Sequence, residues 1–199
     1  MMHYPLGFHR ESRYPGVFKE LDPRLPEQCD HEVSTCIYFD ADWAHDTLNR
    51  RSCTGIIIFM GSTPVIWHSK CQTHIEGSTY GAEFTAGRTV VNEACSIQYI
   101  LQCLVLHMSE PTEFIEDNLG MLQSCLNVSS DLKKKACLIA YHVVWESVAA
   151  GIIHPIKVRD NRDNLSDALT KALGKVAFHR VIDCLYLSPT AKRHKDALV

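Results

Sequence analysis

The sequence lacks a long apolar run, an excess of basic charge and a secretory leader. Its longest apolar stretches are too short or too interrupted to cross a bilayer, and residues 1–16 contain no apolar signal-peptide region. The formal net charge of −3 excludes a histone-like or strongly basic nucleic-acid-binding protein. It leaves open an enzyme that meets nucleic acid through a local basic patch and metal ions.

Paired cysteines and several common catalytic motifs are also absent. The nine cysteines are scattered, none in a CxxC pair, and several lie in apolar runs. This pattern favours buried, reduced thiols in a cytosolic or nuclear protein over a disulfide framework or a zinc site. The sequence has no HExxH, P-loop or GxSxG motif, so the corresponding metalloprotease, nucleotide-binding and serine-hydrolase chemistries have no support.

The composition that is present is that of a folded domain. Hydrophobic residues make up 46% and charged residues 22% of the chain, which indicates a real core. Four prolines and many charges in residues 1–32 predict a poorly ordered lead-in. We expect one domain over residues 33–187 and a polar tail over residues 188–199.

The first half of that domain predicts three strands and a long helix. Residues 33–43, 55–60 and 64–69 are rich in β-branched and aromatic side chains, and a Gly-Ser-Thr turn joins the last two. These strands are expected to form an antiparallel meander. Ser78 or Thr79 then caps a helix whose apolar residues recur at alternating spacings of 4 and 3.

Glu83 lies on the apolar side of this predicted helix, near its start. Extended backwards from Val90, the apolar stripe runs through Ala86 or Gly87 to Glu83. An isolated buried charge is costly, so this carboxylate must meet water, a cation or a partner.

The second half of the domain alternates short strands and helices. The pattern predicts strands at 112–117 and 152–158 and helices from about 118 to 126, 136–150, 164–173 and up to about 187. The order β-β-β-α-β-α-α-β-α favours an α/β fold with a mixed sheet and helices packed on its faces.

Four carboxylates fall at the ends of predicted elements beside the sheet: Asp40, Glu83, Asp117 and Asp167. Taken singly, each has a simpler role as a turn residue, a helix cap or a first-turn acid. Taken together, they are the hard oxygen ligands that a two-metal phosphodiester site requires, on ions about 3.5–4 Å apart.

Seven sequence blocks, in order, resemble the ribonuclease H domain of copia-type retrotransposon Pol polyproteins. They cover roughly residues 33–187 and read FDADWAHDTLNRRSCTG, TPVIWHSKCQ, STYGAEF, EDNLGMLQ, DLKKK, AYHVVWESVAAGII and NLSDALTKAL. The lead-in YPGVFKELDPRLPEQ is similar to the segment that joins such a domain to its reverse transcriptase. The resemblance implies a ribonuclease H-like fold with a mixed five-stranded sheet, three antiparallel strands first.

The resemblance also implies which acids bind metal. It selects Asp40, the first acid of the DAD triplet, over Asp42, and it adds Glu83, Asp117 and Asp167. The implied activity is Mg²⁺-dependent endonucleolytic hydrolysis of the RNA strand of an RNA–DNA hybrid, with two ions and Mn²⁺ as a substitute. The parent reverse transcriptase domain is an implied partner.

Basic and polar residues near these acids are candidate contacts to the hybrid backbone. They are Arg50, Arg51, Asn118, Lys133, Lys134 and Lys135. The simpler interpretation of the arginines and lysines is solvated surface charge. Trp43 and Trp67 are interpreted as core residues rather than base-stacking platforms.

One position departs from the family pattern. Ala136 stands where related sequences have a histidine after the basic run, and such a histidine can assist product release or proton transfer. Two alternatives therefore stay open beside the nuclease: a catalytically weak module that only binds nucleic acid or its former polyprotein partner, and an unselected remnant. The expected location is the cytoplasm, in the particle of the parent element, or the nucleus, and not outside the cell. The sequence does not predict an oligomeric state.

Overall fold

The computed structural model describes residues 29–108, 110–127, 137–159 and 163–185. Its elements in chain order are β1 (Cys29–Glu32), β2 (Thr35–Asp42), β3 (Cys53–Met60), β4 (Thr63–Cys71), α1 (Thr79–Cys103), β5 (Leu106–His107), β6 (Thr112–Glu116), α2 (Leu119–Leu126), α3 (Leu138–Ala149), β7 (Ile153–Lys157), α4 (Asp167–Thr170) and α5 (Lys175–Leu185). The predicted basic run at 133–135, Ala136 and the polar tail lie outside the described residues.

A five-stranded mixed sheet carries the fold, in the order β4-β3-β2-β6-β7. Strands β2, β3 and β4 form the predicted antiparallel meander. Strand β6 pairs with β2 in parallel, and β7 pairs with β6 in parallel. The expected mixed sheet with three antiparallel strands first is therefore confirmed.

The central strand β2 is buried on both faces, which explains its continuous apolar sequence. Ile37 and Phe39 belong to the larger core, beneath α1 and α3. Cys36 and Tyr38 point to the opposite face and belong to a smaller core that includes Val181 of α5. Successive side chains alternate between the two faces, so both helical layers are fixed by one strand.

Helix α1 begins as the sequence predicts. The Ser78 hydroxyl accepts a hydrogen bond from the backbone N–H of Gly81, so Ser78 is the capping residue rather than Thr79. The apolar stripe through Val90 and Ala94 is buried against the sheet as far as Leu101. Glu83 lies on the same face of α1 as this stripe, and its side chain is therefore buried.

The predicted helix over 164–173 is wrong in extent, because only the four residues of α4 are helical. Asn164 is buried, and its side chain donates to the carbonyl of Phe39 at 2.9 Å. The same side chain accepts from the backbone N–H and hydroxyl of Ser166, at 3.2 and 2.6 Å. These bonds hold the chain in a turn, which competes with helix formation.

The sequence did not predict the small sheet that contains β1. Strand β1 falls inside the lead-in assigned to residues 1–32, and it pairs in parallel with β5 in a separate two-stranded sheet. No helix among the described residues is long and apolar enough to span a membrane. The cysteines whose side chains are described form no disulfide with one another.

Gly55 of β3 allows α4 to approach the sheet closely. A methyl group built there would lie 2.8 Å from Thr170 Cγ2, 2.9 Å from Leu169 Cβ and 2.9 Å from the carbonyl oxygen of Ser166.

We expect Gly55→Ala to lower the free energy of unfolding by about 1–3 kcal/mol, since two of these atoms belong to backbone or Cβ positions that cannot rotate away. Urea unfolding measures this loss. Gly77→Ala is the control, because a methyl there meets nothing within 4 Å. Equal stability of both variants would contradict the close approach.

Candidate metal centre

Asp40 lies near the end of β2, opposite Gly55 of β3, and is only 2% exposed. The hydroxyl of Thr170 donates a hydrogen bond to one carboxylate oxygen. The Lys171 Nζ atom lies 3.2 Å from each of the two oxygens. The close packing of α4 on β3 thus supplies both groups that hold Asp40.

Glu83 reaches the same place from α1 and is 4% exposed. Its Oε2 atom is buried and has no hydrogen-bond partner. Burial, followed by the negative charges of Asp40 and Asp117, raises the pKa of Glu83 to about 9. The charge of Lys171 and a hydrogen bond from the backbone of Ala41 offset only part of this effect. Glu83 is therefore held in the neutral form near pH 7 unless a cation is present.

Glu116, the last residue of β6, is a third buried acid at this place. It is 0% exposed, and its Oε1 accepts from the backbone N–H groups of Asp117 and Asn118, at 2.9 and 3.2 Å. Its Oε2 has no hydrogen-bond partner. Burial, together with the nearby charge of Glu83, raises the pKa of Glu116 well above its ordinary value.

The carboxylates of Asp40, Glu83 and Glu116 form a cluster. One oxygen from each lies within 4.8 Å of the others. Three carboxyl groups cannot all ionise at this separation in a buried setting without a compensating cation. Two orphaned buried oxygens and a donor set made entirely of carboxylates suit a hard divalent ion such as Mg²⁺. The residues present therefore fit a metal ion.

A cavity of about 670 Å³ opens above this cluster. Its walls come from the ends of β2, β6 and β7 and from the start of α1 and α2. The lining residues are Asp40, Ala41, Asp42, Trp43, Thr79, Glu83, Asp117, Asn118, Leu119, Lys157 and Lys171. Three of the four predicted acids, Asp40, Glu83 and Asp117, therefore face one cavity.

Asp167, the fourth predicted acid, is joined to the site through a lysine. Its Oδ1 lies 2.9 Å from Lys171 Nζ, so the ammonium group is shared between Asp167 and Asp40. Burial lowers the pKa of Lys171, but Asp40 and Asp167 outweigh it and raise the pKa overall. The ammonium group therefore stays charged and neutralises part of the acidic cluster.

Only some of the predicted nucleic-acid contacts lie at the cavity. Asn118 lines the cavity and also caps α2, accepting from the N–H of Met121 at 3.1 Å. Arg50 and Arg51 are exposed in the turn after β2, and neither lines the cavity. Lys157, at the end of β7, lines the cavity and was not predicted.

The assignment of both tryptophans to the core is wrong. Trp43 is 42% exposed at the cavity wall, where its Nε1–H donates to the carbonyl of Glu76 at 2.8 Å. Trp67 is 63% exposed on β4, which is an edge strand. The apolar character of a tryptophan does not show whether its side chain faces the core or solvent. Beside Trp43, Asp42 is bonded to His45 Nδ1 at 2.7 Å, away from the three-acid cluster.

Curated proteins similar to this chain are retrotransposon polyproteins. The chain is 34% identical over 149 residues to the retrovirus-related Pol polyprotein from transposon RE2 of Arabidopsis thaliana, covering 73% of this chain and 10% of that protein. It is 30% identical over 145 residues to the Pol polyprotein from transposon TNT 1-94 of Nicotiana tabacum, covering 71% and 10%. The chain is a ribonuclease H domain of the copia-type Pol family.

Solved structures of other ribonuclease H domains have a fold similar to that of this domain. The N-terminal RNase H domain of a Mycobacterium tuberculosis protein matches with a TM-score of 0.52 and 13% identity, over 76% of this chain and 97% of that one. LC11-RNase H1, isolated from compost, matches with a TM-score of 0.50 and 15% identity, over 68% and 91%. No protein-family model matches the chain. The domain spans about 10% of the length of the curated polyproteins it matches.

Glu116 is the residue of this ribonuclease H domain that sequence reasoning missed. The signal for it was strand parity. Side chains two apart share a face of a strand, and Phe114 is fully buried in the larger core. Glu116 therefore points inward on the same face as Phe114, next to Asp117, which is the acid of the family motif.

Proposed function

We propose that this domain is a metal-dependent endonuclease that hydrolyses the RNA strand of RNA–DNA hybrids. The observation that carries the proposal is the convergence of Asp40 and Glu83 in one buried cluster below a cavity that Asp117 also lines. Buried carboxylate oxygens without partners, beside an open cavity, are typical of a functional metal site rather than of a stabilising core.

The proposed ligands are Asp40, Glu83, Asp117 and Asp167, with Mg²⁺ as the natural ion and Mn²⁺ as a substitute. When bound, two such ions would lower the pKa of the attacking water and stabilise the charge on the leaving 3′-oxygen. The expected products carry 5′-phosphate and 3′-hydroxyl ends.

The chain's own residues would orient the hybrid. Lys157 and Asn118 offer a cation and an amide to backbone phosphates at the cavity wall, and the exposed part of Trp43 offers an apolar surface. Arg50 and Arg51 would extend these contacts beyond the cavity. Lys133, Lys134 and Lys135 stay proposed contacts on the same chemical ground. Discrimination from duplex DNA would rest on 2′-hydroxyl groups and minor-groove shape.

A partner and a location follow as proposals from the relatives. Since the domain matches one tenth of a Pol polyprotein, we propose the reverse transcriptase domain of the parent polyprotein as its partner. The prototype foamy virus protease–reverse transcriptase, which the chain matches with a TM-score of 0.50 and 13% identity over 73% of this chain and 21% of that one, shows the same fold in such a context. The proposed place of action is the particle of the element in the cytoplasm, or the nucleus.

The test is cleavage of labelled substrates by the purified domain. With Mg²⁺, a labelled RNA–DNA hybrid should be cut in the RNA strand, whereas single-stranded RNA and duplex DNA of the same sequence should stay intact. Addition of EDTA should stop cleavage. Ala136 favours one alternative, a module that binds hybrid without turnover; salt-sensitive binding of intact hybrid by folded protein would support it and overturn the nuclease.

A further inference from the structure

The buried three-acid cluster contains one carboxylate that is not among the proposed metal ligands. Glu116 is not among the four acids of the family motif, yet one of its carboxylate oxygens lies in the buried cluster with Asp40 and Glu83. Strand parity fixes this direction, since Phe114 and Glu116 share the face of β6 that packs beneath α1.

One oxygen of Glu116 has a structural role and the other does not. Oε1 accepts from two backbone N–H groups, those of Asp117 and Asn118, and so secures the turn that leads into α2. Oε2 is fully buried without a donor. A buried acceptor left without a partner destabilises the protein, so a group that satisfies it should bind with a gain in free energy.

Within the part of the chain that the structure describes, no cationic side chain is bonded to Glu116 Oε2. Among the described residues, Lys171 is the lysine with ion pairs in the site, and those pairs go to Asp40 and Asp167. It has no recorded hydrogen bond or ion pair to Glu116. Lys157 lines the cavity above the cluster and likewise has no recorded bond to Glu116.

We propose that Glu116 is a third carboxylate ligand, with Asp40 and Glu83, of a divalent cation that the free protein holds before nucleic acid arrives. This inference rests on the metal dependence proposed above and adds a ligand and an order of binding. Mg²⁺ is usually held by one or two carboxylates together with substrate phosphates. A third carboxylate from the protein would take the place of a substrate phosphate as a ligand. The site should therefore bind an ion in the absence of substrate.

The experiment is a titration of metal-free protein with Mg²⁺ and Mn²⁺ by calorimetry, without nucleic acid. The unsubstituted protein should bind an ion, and Glu116→Gln should weaken that binding by at least about tenfold, the lower end of what loss of even an outer partner costs. Glutamine keeps an Oε1 acceptor for both backbone N–H groups, so the fold should persist. Glu83→Gln is the positive control. Glu113→Gln is the matched negative control, since Glu113 is on the same strand but points to the opposite face and is itself partly exposed.

The outcomes separate this inference from the nuclease proposal. Equal affinity of Glu116→Gln and unsubstituted protein would overturn the ligand role of Glu116 alone. Failure of the unsubstituted protein to bind any ion, with Mg²⁺-dependent cleavage retained, would overturn the resident ion but not the nuclease. If Glu116→Gln does not unfold cooperatively, ¹³C-glutamate labelling of the unsubstituted protein decides: Mg²⁺ should shift two side-chain carboxyl signals, and a shift of one would contradict the proposal.

Discussion

Asp40→Asn should abolish metal-dependent cleavage of the hybrid while leaving the protein folded. Asp40 is the acid that the structure places in contact with both Lys171 and Thr170 and within the three-acid cluster. Loss of its charge removes a ligand that no neighbouring group replaces. The metal contributes several kcal/mol to transition-state stabilisation, and each 1.36 kcal/mol is tenfold in rate, so the initial rate should fall by about 10³ or more.

The matched control for this loss is Asp42→Asn. Asp42 lies two residues further along β2 and also lines the cavity, but its recorded hydrogen bond goes to His45. Its replacement should change the cleavage rate by much less than that of Asp40. Equal loss in the two variants would show that charge near the cavity matters and that the particular place of Asp40 does not.

The metal-free protein should lose stability as the pH rises from about 4.5 towards 9. The pKa of Glu83 is raised from 4.5 in the unfolded chain to about 9 in the folded one, and that of Glu116 is raised as well. Between these values the folded state binds more protons than the unfolded state. The free energy of unfolding therefore falls with pH, by up to about 1.4 kcal/mol per pH unit for each such carboxyl.

Divalent ions should abolish this trend. A bound cation favours the ionised carboxylates, so with Mg²⁺ in excess the folded and unfolded states bind the same number of protons above about pH 5, and the stability should be independent of pH over the same window. Urea unfolding in EDTA and in Mg²⁺ at several pH values measures both slopes. Glu83→Gln should flatten the slope in EDTA, because glutamine does not titrate. A metal-free protein whose stability is independent of pH from 5 to 9 would show that the cluster is not electrostatically strained.

Much of the site follows from patterns that the sequence displays directly. The apolar stripe of α1 carries Glu83 inward, since a helical face is set by residue spacing alone. The three strands of the meander were readable from their β-branched runs and their turn. The choice of Asp40 over Asp42 came from the family resemblance, and the two positions do differ in burial and partners.

Other parts depend on contacts between distant segments, which local patterns do not encode. The leucine spacing of residues 164–173 predicts a full helix, but Asn164 bonds to Phe39, 125 positions away, and holds a turn instead. Lys171 meets Asp40 only because Gly55 lets α4 sit against β3. Such features arise from tertiary packing, which the pattern of a single segment does not predict.

Anomalous diffraction from crystals grown with Mn²⁺ tests the central claim most directly. We expect an anomalous peak within about 2.6 Å of carboxylate oxygens of Asp40 and Glu83, with Lys171 displaced from Asp40. A fully occupied Lys171–Asp40 ion pair with no peak in the three-acid cluster, at Mn²⁺ concentrations that support cleavage of the hybrid by this domain, would contradict the metal site.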